Sequence, residues 1–187
     1  MSTPVEDIAF ETIAIIEENQ VEYALMGGLA VRVWALPRAT FDVDIQISCE
    51  DDKLKKLLAA FEEKGFYVPE YHSKGFVDKL DQMRKVKAQK YYEGHAFDID
   101  VFIVATEFDK TAFQRRKKVT IYNKEIQVLS PEDLILYKLV AGRKKDLLAI
   151  EEIIMMVNVD TQYLRQWAKK LSVSQELEDI LKDKNAK

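Results

Sequence analysis

Apolar and polar positions along the chain alternate between a helical period and a strand period, with short breaks between them. Thr3-Pro4-Val5-Glu6 has the form of a capping box with Pro at the first helical position. It opens a helix whose apolar residues Ile8, Ile13, Ile15 and Ile16 run to about Asn19. Tyr23–Met26 is an apolar run of strand length, broken by Gly27-Gly28. Leu29–Leu36 then reads as a short buried helix. Phe41-Asp42-Val43-Asp44-Ile45-Gln46-Ile47-Ser48 alternates at period two without interruption, the cleanest strand signal in the chain. Asp51 to Lys64 carries Leu54, Leu57, Leu58 and Phe61 on one helical stripe and ends at Gly65.

The middle of the chain predicts two hairpins. Lys85–Tyr92 and His95–Val104 flank Glu93-Gly94, although the first segment also tolerates a helical reading. Val119–Tyr122 and Glu125–Leu129 flank Asn123-Lys124. Between them, Glu107–Lys118 predicts a helix. Ser130-Pro131-Glu132-Asp133 is a second N-cap with Pro at the first helical position, opening a helix through Val140. Helical patterns follow over Lys144–Val157, Asp160–Leu171 and from Ser174 into the tail. The expected architecture is α+β: a mixed β-sheet flanked by helices over residues 1–129, with a helical C-terminal region over 130–187 packed on it.

Composition narrows the setting. At 187 residues and 48% hydrophobic, the chain can build a core without a disulfide or metal staple. Cys49 stands alone, which excludes an intramolecular disulfide framework and fits a reducing, cytoplasmic compartment. No apolar run approaches the length of a membrane span. The formal charge of −4 disfavours a protein that coats nucleic acid, without excluding an enzyme that visits RNA.

Candidate chemistry sits in three places. Gly27-Gly28 lies between a strand and a helix, where glycines permit close backbone approach and a helix N-terminus favours an anion such as phosphate; a Gly-Gly pair is also an ordinary turn. Asp42 and Asp44 share one face of their strand, about 6.7 Å apart along the chain, while Phe41, Val43, Ile45 and Ile47 form the opposite, apolar face expected to supply the core. Taken alone, that pattern equally describes a strand with a solvated outer face. Phe97-Asp98-Ile99-Asp100-Val101-Phe102-Ile103 repeats it. If the two strands are neighbours, a third carboxylate lies roughly 5 Å from the first pair. Three such carboxylates can hold two Mg²⁺ ions about 3.5–4 Å apart, an arrangement that activates an attacking hydroxyl and stabilises a leaving pyrophosphate.

On these residues the chain resembles the nucleotidyltransferase superfamily with a DNA-polymerase-β-like fold. The pattern is a Gly-Gly or Gly-Ser turn, about ten to fifteen residues, an Asp-x-Asp between hydrophobic residues, and a third carboxylate on a later strand. Here residues 29–41 separate Gly28 from Asp42. Met26-Gly27-Gly28-Leu29-Ala30-Val31-Arg32 and Arg38-Ala39-Thr40-Phe41-Asp42-Val43-Asp44-Ile45 also resemble the toxin-type (abortive-infection) nucleotidyltransferases and their uncharacterised relatives. So does Pro131-Glu132-Asp133-Leu134, followed by Lys138, Ala141, Arg143, Lys145 and Asp146. The resemblance covers about Tyr23 to Ile154.

The resemblance implies a role for each matching position. Gly27 and Gly28 would cradle a triphosphate, and Asp42 and Asp44 would ligate Mg²⁺, with Mn²⁺ as an alternative ion. Asp100 would complete the catalytic and metal site, preferred to Asp98 because Val101-Phe102-Ile103 follows it; both face the same way, so the choice stays open. Lys138 and Arg143 are candidates for nucleotide phosphates, and Asp146 for orienting them or the acceptor. Two features depart from the pattern: Leu29 replaces a Ser or Thr hydroxyl common after the glycines, and no separate acceptor-binding domain is recognisable.

Arg38 is read either as a phosphate contact or as an ion-pair partner of a site carboxylate. Arg115–Lys118 and the basic stretch Lys79–Lys90 are read either as solvated faces or as RNA contacts. His72 and His95 lack partners at zinc spacing, Cys49 lacks an activating base, and Trp34 and Trp167 read as core or interface residues. The implied function is Mg²⁺-dependent transfer of a nucleoside monophosphate from an NTP to a hydroxyl of a tRNA, protein or small molecule. A toxin with an antitoxin partner is one form of it. The alternative is a catalytically inactive nucleotide-binding or protein-interaction module on the same fold.

Overall fold

The computed structural model describes residues 2–36, 39–74, 78–80 and 83–185. In chain order the elements are α1 (Pro4–Glu18), β1 (Glu22–Met26), α2 (Gly27–Trp34), β2 (Asp42–Ser48), α3 (Asp51–Glu63), α4 (Glu70–Ser73), β3 (Asp78–Leu80), β4 (Met83–Tyr92) and β5 (His95–Ile103). They continue with α5 (Glu107–Gln114), β6 (Lys117–Ile121), β7 (Lys124–Val128), α6 (Pro131–Ala141), α7 (Lys144–Met156), α8 (Thr161–Lys170) and α9 (Ser174–Asn185). One mixed sheet runs in the order β3-β4-β5-β2-β1-β7-β6. The pairs β2–β5 and β1–β7 are parallel, and the other neighbours are antiparallel.

The period-two alternation decides which face of each strand meets the core, except at Phe41, which precedes β2 and is exposed instead of buried. Val43, Ile45 and Ile47 of β2 and Ile99 and Val101 of β5 are fully buried, each contributing roughly 1.5–3 kcal/mol of burial. This face carries α1 and α3: Lys90 of β4 reaches Glu11 of α1 at 2.7 Å, and Tyr23 of β1 donates to Glu17 at 3.0 Å. The other face carries the carboxylates, and α6 covers its far end, where Gln46 of β2 donates to the Tyr137 hydroxyl at 2.7 Å. Tyr137 in turn donates to Asp109 of α5.

A buried polar knot joins the helices after β7 to the rest. Asp133 is fully buried and accepts from Ser130, from Tyr163 of α8 and from Arg115. Burial pushes its carboxyl pKa up, and those hydrogen bonds oppose the push. Trp34 is partly buried and donates its indole N–H to the Leu129 carbonyl at 2.9 Å, while Trp167 is buried against Phe108. Among the described residues no helix is long and apolar enough to cross a membrane.

Several boundaries differ from the sequence pattern. Met83–Tyr92 is a strand, and Glu93-Gly94 forms its two-residue turn with both φ angles positive, at 49° and 80°. The next hairpin turns at Tyr122-Asn123, also with positive φ. Its register carries pairing back to Lys117 opposite Val128, so α5 stops at Gln114 instead of continuing to Lys118: strand pairing claims those residues. The second helix begins at Gly27 and stops at Trp34, because Leu36 precedes Pro37 and is biased away from helix. The short elements α4 and β3 carry too few residues for a periodic signal.

Candidate active site

Parallel pairing of β2 with β5 puts Asp42 opposite Asp98 and Asp44 opposite Asp100. Four carboxylates therefore share one face of two neighbouring strands. Their depth differs: Asp42 and Asp98 lie exposed, whereas Asp44 and Asp100, two residues further along their strands, are partly buried. Gln89 of β4 donates to Asp98 at 2.7 Å, and Lys85 of β4 pairs with Asp100 Oδ2 at 2.6 Å.

The glycines meet this cluster directly. β1 runs antiparallel to β2 with Met26 opposite Asp44, so the chain turns into α2 at the carboxylate. Gly27 has φ +63°, and a Cβ there would lie 1.8 Å from Asp44 Oδ2. The Gly28 backbone N–H donates to Asp44, and a Cβ on Gly28 would meet Thr40 Oγ1 at 2.6 Å. Gly27 thus demands glycine for both backbone and space, and Gly28 packs tightly against Thr40. Gly27→Ala is expected to cost about 2 kcal/mol or more, combining the left-handed backbone cost with the clash. Gly65→Ala is the control, since Gly65 has φ +78° with nothing within 4 Å; thermal denaturation should show the smaller loss there.

Electrostatically the cluster is under-compensated. The Asp44 carboxyl is pushed up to about 6 by burial first, then by repulsion from Asp100 and Asp42; the Gly28 N–H and Lys138 only partly oppose this. Lys138 and Arg143 both sense the charge of Asp44, which brings the α6–α7 corner to the cluster. Both are held by Asp146: Lys138 Nζ lies 2.9 Å from its Oδ1 and Arg143 Nε 2.6 Å from its Oδ2. Burial pushes the Asp146 carboxyl up, but the two hydrogen bonds outweigh it and hold the pKa below the ordinary range. Gly142, left-handed at φ +61°, makes the turn between the two helices.

A divalent cation fits these residues in donor type and charge. Carboxylate oxygens suit Mg²⁺, Asp44 is destabilised as an anion, and Asp100 Oδ1 is buried without a hydrogen-bond partner among the described residues. The donors are not preassembled: among the described residues no three His, Cys, Asp or Glu side chains are gathered as a metal cage.

Of the candidate residues, Gly27, Gly28, Asp42, Asp44, Asp98, Asp100, Lys138 and Arg143 converge on one face, while Arg38 lies outside the described residues. Of the basic stretch Lys79–Lys90, the Lys79 side chain is likewise outside them. Sequence reasoning passed over Lys85 and Gln89 as site residues. Their signal is the alternation Lys85-Val86-Lys87-Ala88-Gln89, which buries Val86 and Ala88 in the core and turns Lys85, Lys87 and Gln89 to the carboxylate face.

A comparison with curated proteins gives no match. Among solved structures, a nucleotidyltransferase-like antigenic protein from Paracoccidioides brasiliensis is 19% identical, with TM-score 0.55, over 95% of this chain and 90% of that one. The lincosamide antibiotic adenylyltransferase LnuA, with lincomycin bound, is 17% identical with TM-score 0.56, over 81% of this chain and 98% of that one. ANT(2")-Ia in complex with adenylyl-2"-tobramycin is 16% identical with TM-score 0.60, over 91% and 98%. At these identities the likeness establishes the fold. The family described as "Nucleotidyltransferase of unknown function (DUF6036)" matches residues 7–186, so nearly the whole chain belongs to it, and the protein is a nucleotidyltransferase.

Proposed function

We propose that the chain transfers a nucleoside monophosphate from an NTP to a hydroxyl acceptor, with Mg²⁺ held by Asp42, Asp44 and Asp100. The observation that carries this is the register Asp44↔Asp100 beside Gly27-Gly28: a carboxylate cluster directly abuts the glycine turn at the start of a helix. When bound, Mg²⁺ supplies charge neutralisation of the triphosphate and activation of the attacking hydroxyl. The chain's own residues bind and orient. Backbone N–H groups at the start of α2 face the triphosphate, and Lys138 and Arg143 contribute positive charge from the α6–α7 corner. Asp100 Oδ1 takes the acceptor's proton as its oxygen bonds to the α-phosphorus; the bond from that phosphorus to the bridging oxygen breaks and pyrophosphate leaves. In this reading residues 1–129 are the catalytic core, and 130–187 a helical part that supplies Lys138 and Arg143.

Asp100 is preferred to Asp98 because it pairs in register with the deeper Asp44 and raises its pKa, whereas Asp98 is exposed and bonded to Gln89. The fold shared with an adenylyltransferase solved with lincomycin and with ANT(2")-Ia carrying adenylyl-2"-tobramycin supports small-molecule hydroxyls as the first acceptors to try.

The test begins with thermal denaturation in Mg²⁺ and each NTP. A nucleotide held at a hundred times its Kd should stabilise the fold by about 2.7 kcal/mol. Transfer of α-labelled NTP into the small-molecule, RNA or protein fraction of a lysate should follow. A thermal shift with no incorporation into any fraction would instead favour the inactive binding module.

A further inference from the structure

Asp100 has two lysines within reach on β4, and the structure selects between them. Lys87 is its direct register partner yet is exposed and makes no ion pair among the described residues. Lys85 stands opposite Phe102 and reaches diagonally to Asp100 Oδ2 at 2.6 Å. The Lys85 side chain is 11% exposed, with its Nζ 5.5 Å from the Phe102 ring centre. The long stem is thus packed and only its head group meets the carboxylate. The other carboxylate oxygen, Oδ1, is buried with no hydrogen-bond partner among the described residues. Two carboxylates in register on neighbouring strands repel, and an unanchored Asp100 would turn away from Asp44. Anchoring one oxygen opposes that turn and leaves the other free.

We propose that Lys85 is the positioning residue of this site: it holds Oδ2 of Asp100, so that Asp100 takes part in the reaction through Oδ1 alone. The inference rests on the reading of the cluster as the nucleotidyl-transfer site. Lys85 touches neither nucleotide nor acceptor in this arrangement; it acts through Asp100. Three consequences separate it from a merely structural lysine. Its removal slows the chemical step without weakening NTP binding, because Gly27, Gly28, Lys138 and Arg143 are untouched. Its effect vanishes once Asp100 has lost its carboxylate. Its loss also releases the second Asp100 oxygen and removes a positive charge, so a bare divalent cation binds better.

The experiment uses the full chain with Lys85→Met, Lys85→Gln, Lys85→Arg, Asp100→Asn and Lys85→Met/Asp100→Asn. Pyrophosphate release is followed with NTP and Mg²⁺, water or the acceptor taking the nucleotidyl group, and Mn²⁺ binding without nucleotide is followed by electron paramagnetic resonance. Lys85→Met should lower kcat roughly 10- to 100-fold, the scale of an ångström-sized misplacement, with KM for NTP within about twofold. Lys85→Arg should restore kcat to within about fivefold of the natural chain. In the Asp100→Asn background the Lys85→Met change should cost less than about twofold. Mn²⁺ should bind Lys85→Met about threefold or more tightly than the natural chain. An unchanged kcat, full additivity with Asp100→Asn, or weaker Mn²⁺ binding would each overturn the proposal. Should Lys85→Met fail to fold, Lys85→Gln takes its place in every arm. If the natural chain releases no pyrophosphate with any NTP, the transfer reading fails, while Mn²⁺ binding still decides whether Lys85 holds Asp100.

Discussion

Asp44→Asn should abolish nucleotidyl transfer and at the same time make the metal-free protein more stable. The carboxyl of Asp44 has its pKa pushed up to about 6, from an ordinary 3.8, chiefly by burial and then by Asp100 and Asp42. The folded state therefore binds a proton more tightly than the unfolded chain. Near pH 3.8 the residue imposes no penalty; as pH rises from there to about 6 the folded state holds more protons and stability falls; above that the full cost, about 3 kcal/mol, is in force. Asparagine keeps an oxygen for the Gly28 N–H but cannot ionise. At pH 8 its gain should approach roughly 2–3 kcal/mol, on the order of 5–10 °C in Tm for a domain of this size, and it should vanish near pH 4. Activity should drop by roughly 10²–10³-fold or more, the scale of losing one electrostatic partner of the reacting phosphate. Mg²⁺ should raise the melting temperature of the natural chain at pH 8 and leave Asp44→Asn nearly unmoved. A variant less stable than the natural chain at pH 8 would show that Asp44 is not electrostatically strained.

Asp146→Ala should be among the most destabilising single changes in the molecule. Asp146 is 1% exposed and receives both Lys138 and Arg143. Lys138 is itself buried at 7% exposure. Breaking a buried pair by removing one partner leaves an uncompensated charge, which costs about 3–5 kcal/mol. Arg143 has a largely exposed side chain and can turn to water; Lys138 cannot, so the cost falls on it. The double variant Lys138→Met/Asp146→Ala should regain much of the lost stability, because an apolar side chain of similar length fills the same space. Denaturant unfolding of both variants measures the coupling. Full additivity would mean the pair carries no mutual energy. Nucleotide affinity should stay low in the double variant even as stability returns, which separates the role of Lys138 in binding from its role in packing.

The carboxylate face was legible because strand periodicity is an intrinsic property of the backbone. Phe41–Ser48 and Phe97–Ile103 alternate so cleanly that the shared faces of Asp42 with Asp44, and Asp98 with Asp100, follow from residue order alone. The two-residue turn at Glu93-Gly94 and the N-cap at Ser130 were likewise local, and both occur in the structure. Where the pattern misled, the cause lay partly outside the segment. The α5 boundary depended on competition with strand pairing to Lys124–Val128, and β4 was ambiguous because Lys and Gln populate either state.

Residue order alone therefore determined the strands, the glycine turn and which side chains share a face, since each depends on dihedral preference and period within one segment. Only the tertiary structure decided that β5 lies beside β2 with Asp100 level with Asp44, that Lys85 and not Lys87 holds Asp100, and that Asp146 grips Lys138 and Arg143. Those are matters of register and depth between segments distant in the chain. A one-residue slip of β5 would have turned both of its carboxylates into the core. Burial and neighbouring charge, which raise the Asp44 pKa, come into being only when the sheet has closed around it.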